Sequence, residues 1–441
     1  MSIIRASVIY CITVIVSAVL ILILPISSAT ATDIYAASAS YADVNTAYGT
    51  ANDGDRVIIP AGSATWNSTL TITKAITLLG PGSNSLTISY GVSPLVKIAP
   101  TTDKKIRVSG IYFDMVFNPG SDRTAISIVG ITAGLTQIRI DHCKFNKGQR
   151  TVHCQGFCYG VIDHNTFING DTAVGFTGDD DAAWSRPIVA GTANAMFIED
   201  NNFIMDNNAD RMPTGEQIYH QQGARSFTRY NTFDATAQTN WSNLFLDSHG
   251  DWPYYTNSGY HYRGQPIIEF YNNTLKAYNT YRWLHIRGGS SLIYNNTFTH
   301  VSGGVGSLIQ LGDEESWQTI LFSPLRSVWP AEDQIMNTFI WNNTIDGSAI
   351  TSVDLEDTRD APFIQQDRDY FVHAPQSTGG KGSYTGRAGG STAAPTQSDT
   401  GNETFSSSGA NAYYPYTPYP YPHPLVTGTS PPSAPKNLRI Q

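Results

Sequence analysis

The phrase Ile-Asp-His-Asn-Thr-Phe at residues 162–167 recurs in related form along this chain. Nearly every copy begins with an apolar residue, continues with two variable residues, an Asn and a small or polar residue, and closes with an apolar residue. The Asn positions of the copies are Asn165, Asn201, Asn231, Asn273, Asn296 and Asn343, and an earlier copy has Cys143 in the same position.

The copies are separated by one unit of about 22 residues or by longer intervals. Cys143 and Asn165 are 22 residues apart, Asn273 and Asn296 are 23 apart, and the remaining intervals are 30 to 47 residues. A unit of this length is too short to bury its own apolar face, so the copies must stack on one another. The spacing therefore predicts a solenoid with loops inserted in its longer intervals.

The chemistry of Asn identifies the kind of solenoid. Asn tolerates the left-handed backbone region better than most non-glycine residues, and its amide both donates and accepts hydrogen bonds. Stacked Asn side chains can therefore bond the turn backbone of adjacent coils, while β-branched and aromatic neighbours favour strands. We predict an all-β fold, a right-handed parallel β-helix with these Asn residues inside. Asn-rich surface loops are the alternative, but they do not explain the apolar residues at fixed offsets.

The region before the repeats has the pattern of an N-terminal cap. Residues 41–48 form a short helical pattern, and Gly-Asp-Arg-Val-Ile-Ile-Pro-Ala-Gly at residues 54–62 indicates a strand followed by a turn. This phrase resembles the opening of the pectin-lyase-like superfamily of exported right-handed β-helices. The resemblance implies a capping helix, because an open coil end exposes core and strand edges. It covers residues 36–347 and says little about activity.

The two ends of the chain differ from the repeats. Residues 1–31 contain Arg5, an apolar run and Ala-Thr-Ala, the pattern of a signal peptide. An uncleaved N-terminal anchor is the alternative. We therefore expect a secreted, periplasmic or cell-surface protein without membrane contact after cleavage. Residues 348–425 predict an irregular extension with a Gly/Ser-rich loop and an extended Tyr/Pro-rich tail, and residues 426–441 predict a linker remnant.

Composition limits the classes of partner. The chain has 441 residues, a formal net charge of −9 and only 14% charged residues. Because such a chain lacks a general basic field for phosphates, we expect no nucleic-acid partner. A surface rich in Asn, Thr, Ser, Gly and Tyr favours an exported protein that meets polysaccharide. An anionic polysaccharide would need a local basic cleft.

Cysteine and histidine content raises the questions of disulfides and metals. After the predicted signal peptide the cysteines are Cys143, Cys154 and Cys158. Three cysteines permit at most one internal disulfide, with Cys154 and Cys158 as the candidate pair. The neighbouring histidines are His142, His153 and His164. Their spacing matches no zinc pattern, so we expect packing there and no metal.

Candidate catalytic residues follow from counting back from the Asn positions. His220 and His285 are each 11 residues before their Asn, and Gln222 and Arg287 are each 9 residues before it. Residues two apart on a strand point to the same face, so the register predicts a polar stripe on the outside. The predicted catalytic residues are Arg287, His285, His249, Asp247 and His220, with Gln222 as a substrate-binding neighbour.

This stripe has the groups that β-elimination on a uronate polysaccharide requires, namely a cation for the carboxylate and a base for the proton beside it. Arg287 is the predicted cation, and as an outward residue it is expected to contribute little to stability. His249 or His285 is the predicted base or acid, with Asp247 fixing the tautomer. Aromatic residues in the insertion at 247–264 are predicted to stack on sugars: Trp252, Tyr254, Tyr255, Tyr260 and Tyr262.

Two other functions stay open. A polygalacturonase-type hydrolase uses clustered Asp, and this chain follows the order of that family's phrases incompletely at 178–180, 248–250 and 286–287. A surface or matrix protein that binds glycans without catalysis needs only the aromatic residues. The acidic run 179–181 is a candidate Ca²⁺ site, with a solvated loop as the favoured alternative.

Overall fold

The computed structural model describes residues 31–116, 123–179, 182–183, 186, 190–207, 216–240, 244–249, 264–312, 335–357, 360–361, 364–366, 369–375, 384–387, 403–405 and 416–428. The chain divides after Thr32, and the description below concerns the unit from Asp33 onward. The predicted signal peptide and linker remnant lie outside the described residues. Within them, no helix is long and apolar enough to cross a membrane.

Short strands make up nearly all of the regular structure. The first eighteen are Asp33–Tyr35 (β1), Arg56–Ile58 (β2), Gly62–Trp66 (β3), Leu70–Ile72 (β4), Thr77–Leu79 (β5), Leu86–Tyr90 (β6), Val96–Ile98 (β7), Ile106–Ser109 (β8), Tyr112–Asp114 (β9), Ile126–Val129 (β10), Leu135–Asp141 (β11), Lys144–Asn146 (β12), Val152–Gln155 (β13), Cys158–Asp163 (β14), Thr166–Ile168 (β15), Val174–Thr177 (β16), Met196–Glu199 (β17) and Asn202–Asp206 (β18). The others are Glu216–Gln221 (β19), Ser226–Arg229 (β20), Thr232–Ala237 (β21), Leu244–Ser248 (β22), Ile267–Tyr271 (β23), Thr274–Ala277 (β24), Arg282–Ile286 (β25), Ser290–Tyr294 (β26), Thr297–His300 (β27), Ser307–Leu311 (β28), Thr338–Trp341 (β29), Thr344–Ile345 (β30), Ser348–Ala349 (β31), Asp354–Leu355 (β32), Tyr370–Phe371 (β33), Tyr384–Arg387 (β34) and Glu403–Phe405 (β35).

These strands form three long sheets, and each turn of the chain adds one strand to each sheet. Sheet A contains β1, β2, β5, β8, β11, β14, β17, β20, β23, β26, β29 and β33. Sheet B contains β3, β6, β9, β12, β15, β18, β21, β24, β27, β30 and β31, and sheet C contains β4, β7, β10, β13, β16, β19, β22, β25, β28 and β32. Neighbouring strands in these three sheets are parallel, apart from the antiparallel end pair β30–β31. Strands β34 and β35 form a separate antiparallel pair. The predicted right-handed parallel β-helix is therefore confirmed.

Aromatic side chains stack along the interior of sheet B. The rings of Phe113, Phe145, Phe167, Phe203 and Phe233 follow one another at centroid separations of 4.4 to 5.3 Å. All five are at most 1% exposed. The separations match the distance between neighbouring strands, so equivalent residues of successive coils meet directly. The closing apolar residue of the recurring phrase is thus a core residue in every such coil.

The Asn residues of the phrase form a buried ladder at the turn between sheets A and B. The Oδ1 atom of Asn296 accepts from the backbone N–H of Asn273 at 3.0 Å, and the Nδ2 atom of Asn273 donates to the carbonyl of Thr228 at 3.0 Å. The same bonds recur along the ladder, and each Asn is at most 1% exposed. Its members are Asn165, Asn201, Asn231, Asn273, Asn296 and Asn343.

Cys143 occupies the first position of this ladder. Its backbone N–H donates to Asn165 Oδ1 at 2.9 Å, and its thiol is free and buried. Burial raises the pKa of the Cys143 thiol to about 12. Cys154 and Cys158 are also free and buried, so the candidate disulfide is not formed. The three thiols therefore act as small apolar side chains here.

A helix covers the N-terminal end of the coil stack. Helix α1 (Tyr41–Thr50) begins at Ser40, whose hydroxyl accepts from the Asp43 N–H, and buries Val44 and Ala47. The resemblance to exported β-helices implied such a capping helix. A second short helix, α2 (Pro424–Thr427), ends the described part of the Tyr/Pro-rich tail.

The Tyr/Pro-rich tail lies on the outer face of sheet A. Arg229 pairs with Glu199 at 2.7 Å, and both side chains are fully buried. The same guanidinium donates to the carbonyls of Tyr419 at 2.6 Å and Pro420 at 2.8 Å. The buried ion pair therefore holds the tail against the coils, because it supplies the donors that the tail carbonyls accept.

We expect that replacing Asn273 by Leu destabilises the protein by about 1–3 kcal/mol, because the turn groups bonded to its amide lose their partners. Urea unfolding followed by circular dichroism measures this. The matched control is Asn84→Ala at an exposed turn, which should change stability by less than about 0.5 kcal/mol. Equal effects of the two substitutions would contradict a structural role for the ladder.

Candidate functional site

Strand register places a row of polar side chains on the outer face of sheet C. Tyr219 pairs with Asp247, Asp247 with His285, and His285 with Gln310 along β19, β22, β25 and β28. The residues before them in these strands, such as Leu246 and Leu284, are in the hydrophobic core. Because side chains alternate between faces, the row faces outward.

Asp247 is the centre of a cluster of charged groups. Arg287 Nη2 lies 2.8 Å and 2.9 Å from the two Asp247 carboxylate oxygens. His249 Nε2 is 3.1 Å from one oxygen, and His285 Nδ1 is 3.2 Å from the other. Burial by itself raises the pKa of Asp247, but the charges of Arg287 and His249 and the histidine hydrogen bonds outweigh it and hold the pKa well below its usual value. Asp247 is therefore an ionised carboxylate.

His249 lies at the edge of this cluster with a defined tautomer. Its Nδ1 atom is 3.1 Å from Arg287 Nη1, which can only donate, so Nδ1 accepts. Its Nε2 atom faces the Asp247 carboxylate and therefore carries the proton. The side chain is 11% exposed, more than Asp247, His285 or Arg287. His249 is thus the best placed of the predicted histidines to meet a bound molecule.

His285 is enclosed by charged neighbours. Its side chain is fully buried, and its Nδ1 atom lies 2.7 Å from Arg282 Nη1 and 3.0 Å from Arg287 Nε. Its Nε2 atom is 3.0 Å from Glu356 Oε2. His285 therefore connects two arginines and two carboxylates, and its burial leaves it badly placed for direct contact with substrate.

Glu356 and Arg282 complete the cluster and were not predicted. Arg282 Nη2 is 3.1 Å from Glu356 Oε1, and the Glu356 side chain is 2% exposed. Burial raises the pKa of Glu356, but bonding to His285 and the nearby positive charges lower it to about 2. We call Asp247, His249, Arg282, His285, Arg287 and Glu356 the Asp247 cluster. Glu356 follows β32, in a coil without the Asn phrase, so the sequence carried no signal for it.

His220 does not belong to the outer row, contrary to the prediction. It is fully buried, stacks on Phe176 at 4.9 Å, and has Nε2 2.6 Å from Ser226 Oγ. Burial lowers its pKa to about 3. The turn after β19 contains one more residue than the turn after β25, since Tyr219 is 12 and His285 is 11 residues before the ladder Asn. A shift of one residue reverses the face, so Tyr219 takes the outer position.

Gln222 is the one predicted substrate-binding residue within the described part of the chain. Gln222 lies in the turn after β19 with a φ of 59°, and Gln221 holds the last strand position. The aromatic residues Trp252, Tyr254, Tyr255, Tyr260 and Tyr262 lie outside the described residues. Tyr219 is the described aromatic residue beside His249, with ring centroids 5.0 Å apart.

A metal ion could share two members of the Asp247 cluster. Glu216, Asp247 and His249 have ligand atoms within 4.8 Å of one another. Two carboxylates and an imidazole suit a divalent cation such as Zn²⁺ or Mn²⁺. Arg287 already neutralises Asp247, so a cation would compete with it for that carboxylate.

The acidic run 179–181 was the predicted Ca²⁺ site. Asp179 is exposed, and the two following residues lie outside the described part of the chain.

Comparison with known proteins gives distant structural likenesses. No protein-family model and no curated protein matches the sequence. An alginate lyase from Paenibacillus sp. str. FPU-7 is 12% identical over 74% of this chain and 97% of its own, with a TM-score of 0.37. A PL6 family alginate lyase is 15% identical over 88% and 59%, with a TM-score of 0.35, and the catalytic domain of a GH87 alpha-1,3-glucanase in complex with nigerose is 10% identical over 79% and 67%, with a TM-score of 0.28. These likenesses are too low to assign a family or an activity.

The burial of Arg287 corrects the expectation that it contributes little to stability. Its side chain is 9% exposed and bonds three members of the cluster.

We expect Arg287→Ala to lower the free energy of unfolding by about 3–5 kcal/mol, because it leaves a buried carboxylate without its cation. A double-mutant cycle with Asp247→Ala, measured by urea unfolding, should show that the double variant loses less than the sum. Arg56→Ala, in an exposed pair with Asp33, is the control and should cost about 0.5 kcal/mol or less. Strict additivity would contradict the coupling.

Glu356 gives a prediction for acid stability. Its folded pKa of about 2 lies below the usual 4.5, so its contribution is present above about pH 4.5 and is lost as the pH falls toward 2. Glu356→Gln should therefore cost about 3 kcal/mol near pH 7 and flatten the loss of stability in acid. Urea unfolding at several pH values tests this against Asp354→Asn, an exposed carboxylate on β32, the strand that Glu356 follows. An unchanged acid profile in Glu356→Gln would contradict the assignment.

Proposed function

We propose that the outer face of sheet C at the Asp247 cluster binds a uronate-containing polysaccharide and cleaves it by β-elimination. One observation carries the proposal. A single ionised carboxylate, Asp247, holds both an imidazole at the edge of the cluster and a guanidinium beside it. An oriented base next to a fixed cation is what proton abstraction beside a carboxylate requires.

In the proposed reaction, Arg287 stabilises the negative charge that develops on the uronate carboxyl group. When Arg287 turns from His249 Nδ1 to the uronate carboxyl group, the freed Nδ1 atom of the neutral imidazole accepts the proton from the adjacent ring carbon. The electron pair of that C–H bond forms the new C=C bond, and the bond from the ring to the glycosidic oxygen breaks. The resulting imidazolium, stabilised by Asp247, returns the proton to the departing oxygen. His285 and Arg282 hold Asp247 and Arg287 in place rather than contacting the substrate.

Hydrolysis of the polygalacturonase type is less well supported by this cluster. Glycoside hydrolysis needs one carboxylic acid that stays protonated to assist the leaving group, so its pKa must be raised. The pKa values of both cluster carboxyl groups, Asp247 and Glu356, are lowered instead. The cluster therefore offers two carboxylates and no carboxylic acid.

The alternative function is glycan binding without catalysis. It is favoured by the internal pairing of the cluster, since Arg287 already bonds Asp247 through both carboxylate oxygens. Tyr281 also offers an aromatic surface nearby. The residue is 46% exposed, and its ring lies 4.5 Å from the Arg282 guanidinium. An aromatic ring of this kind can stack on a sugar in either function.

The test is a screen of the purified full chain on uronate polysaccharides, following the ultraviolet absorbance of the unsaturated product. We expect turnover in the wild type, and a loss of about a hundredfold or more in His249→Ala, because the base is removed. Arg287→Lys keeps the charge but loses the forked contacts, and should lose activity by a smaller factor. His300→Ala, a half-buried histidine on sheet B, is the matched control and should retain full activity.

The two functions give different outcomes in this screen. Binding to a polysaccharide without any absorbance change in the wild type would support the non-catalytic alternative. Full activity in His249→Ala would overturn the proposed base. Melting temperatures of all variants, measured in parallel, distinguish lost chemistry from lost folding.

A further inference from the structure

We propose that Glu269 is the centre of a pH-sensitive joint, which holds two outlying segments against sheet A at low pH and loosens them as the pH rises. One segment is residues 190–192, between β16 and β17, and the other is the start of the Tyr/Pro-rich tail at Tyr416 and Thr417. We call Glu269, Gly191, Tyr416 and Thr417 the Glu269 joint. It lies on sheet A, whereas the Asp247 cluster lies on sheet C, so the joint is independent of the proposed elimination reaction.

Strand register places Glu269 on the outer face of sheet A. It lies in β23 and pairs with Phe227 of β20 and with Leu292 of β26. Its neighbours in the strand, Ile268 and Phe270, belong to the hydrophobic core, so the Glu269 side chain points outward. Glu269 is nevertheless 0% exposed. The two outlying segments therefore cover a carboxyl group that would otherwise face solvent.

Two hydrogen bonds join this carboxyl group to the two segments. Glu269 Oε1 accepts from the Gly191 N–H at 2.6 Å, and Oε2 accepts from the Tyr416 hydroxyl at 2.7 Å. These bonds span 78 and 147 residues of sequence. The Tyr416 hydroxyl is also 2.9 Å from the Tyr294 hydroxyl on β26. One buried carboxyl group thus connects the coils, the 190–192 segment and the tail.

Gly191 lets the two segments pack on each other as well as on Glu269. Its φ angle is 69°, in the left-handed region that favours glycine. A Cβ atom at this position would overlap the carbonyl oxygen of Thr417. The tail backbone therefore passes directly over residue 191, and a side chain there would push the tail away.

Glu269 differs from three other carboxyl groups on the outer face of sheet A, which each have an arginine partner. The pairs are Asp141 with Arg107, Asp163 with Arg139, and Glu199 with Arg229. Among the residues that the structure describes, no lysine or arginine forms an ion pair with Glu269, whose partners are a backbone N–H and a phenol. Burying a carboxylate without a paired cation is costly, whereas burying a protonated carboxyl group is much less so.

The titratable and charged groups around Glu269 leave this cost in place. They are Tyr271 on its own strand, Arg229 on β20 with its partner Glu199, Tyr294 on β26, and Tyr416 on the tail. Burial raises the pKa of Glu269 to about 7, and it outweighs the two hydrogen bonds and the Arg229 charge, which lower it. The pKa values of the three tyrosines are raised above their usual value, so these phenols stay neutral near pH 7.

The direction of the pH effect follows from the two states of the joint. When the segments leave, Glu269 meets water and its pKa returns toward the usual 4.5. The closed joint therefore binds the proton more tightly than the open one. Closure is strongest below about pH 4.5, weakens as the pH rises toward about 7, and changes little above that. The ratio of closed to open molecules should fall on the order of a hundredfold across this range.

The rest of the tail has contacts that do not change over this pH range. Arg229 donates to the carbonyls of Tyr419 and Pro420, and arginine stays charged. Burial lowers the pKa of His423 to about 3, so this tail histidine stays neutral. Opening is therefore confined to residues 190–192 and to the first residues of the described tail.

The test is hydrogen–deuterium exchange of the full chain at about pH 5 and about pH 8, followed by mass spectrometry and corrected for the intrinsic exchange rate. In the wild type we expect peptides with the Gly191 amide and with residues 416–418 to lose protection on the order of a hundredfold at the higher pH. Glu269→Gln keeps an acceptor and a donor but cannot ionise, so these peptides should stay protected at both pH values. Asp354→Asn, at an exposed carboxylate, is the control and should behave as the wild type.

Two outcomes of this experiment would overturn the proposal. One is equal protection of the wild type at both pH values, and the other is the same loss of protection in Glu269→Gln as in the wild type. Gly191→Ala is a second variant should Glu269→Gln not fold. It should open both segments at either pH, and wild-type protection in Gly191→Ala would also contradict the joint. None of these readouts depends on the outcome of the lyase screen.

Discussion

The hydrogen bond between each ladder Asn and the turn of the neighbouring coil is the constraint on which the rest of the structure depends. It satisfies a backbone N–H in a buried turn, where an unpaired group would cost about 1–3 kcal/mol. It also aligns successive coils residue by residue, as the bond from Asn231 N–H to Asn273 Oδ1 shows across an interval of 42 residues. Insertions of any length can therefore leave the coil at other points without disturbing the core.

Equivalent residues of successive coils are aligned at the ladder, and this alignment becomes less exact in strands farther from the ladder turn. Sheets A and B flank the ladder turn directly, and beside that turn the phenylalanine rings of sheet B stack in register from Phe113 to Phe233. Sheet C is reached through turns of different lengths. One additional residue after β19 turns His220 into the core and Tyr219 outward. The composition of the outer face of sheet C is therefore set by turn lengths as much as by strand sequences.

Buried charges occur on the outside of two sheets and serve different purposes. On sheet A, Arg229 and Glu199 are fully buried beneath the tail, and the guanidinium is bonded to tail carbonyls. On sheet C, the Asp247 cluster keeps His249 at its edge. Burying ions gives little net stability, because desolvation offsets their attraction, but it fixes one arrangement. On sheet A the fixed ion pair holds the Tyr/Pro-rich tail, and on sheet C the fixed cluster orients the His249 imidazole.

Turn length also explains which parts of the candidate site the sequence could predict. Asp247 with His249, and His285 with Arg287, are two residues apart at the ends of β22 and β25, so alternation along an extended chain placed each pair on one face. Glu356 comes from a coil that lacks the recurring phrase and lies 69 residues after Arg287, so no local pattern connects them. His142 and His164 are 22 residues apart in the sequence. Their rings stack only because one coil of the solenoid has that length.

The sequence by itself determined the coil, the capped solenoid and the interior Asn ladder, because these depend on short periodic patterns and on the backbone preferences of single residue types. Tertiary structure alone decided which charged groups meet on the outer faces. Those contacts join residues from different coils, and their distances depend on how many residues each turn contains. A difference of one residue in a turn, too small to change the fold, is enough to move a side chain from solvent into the core.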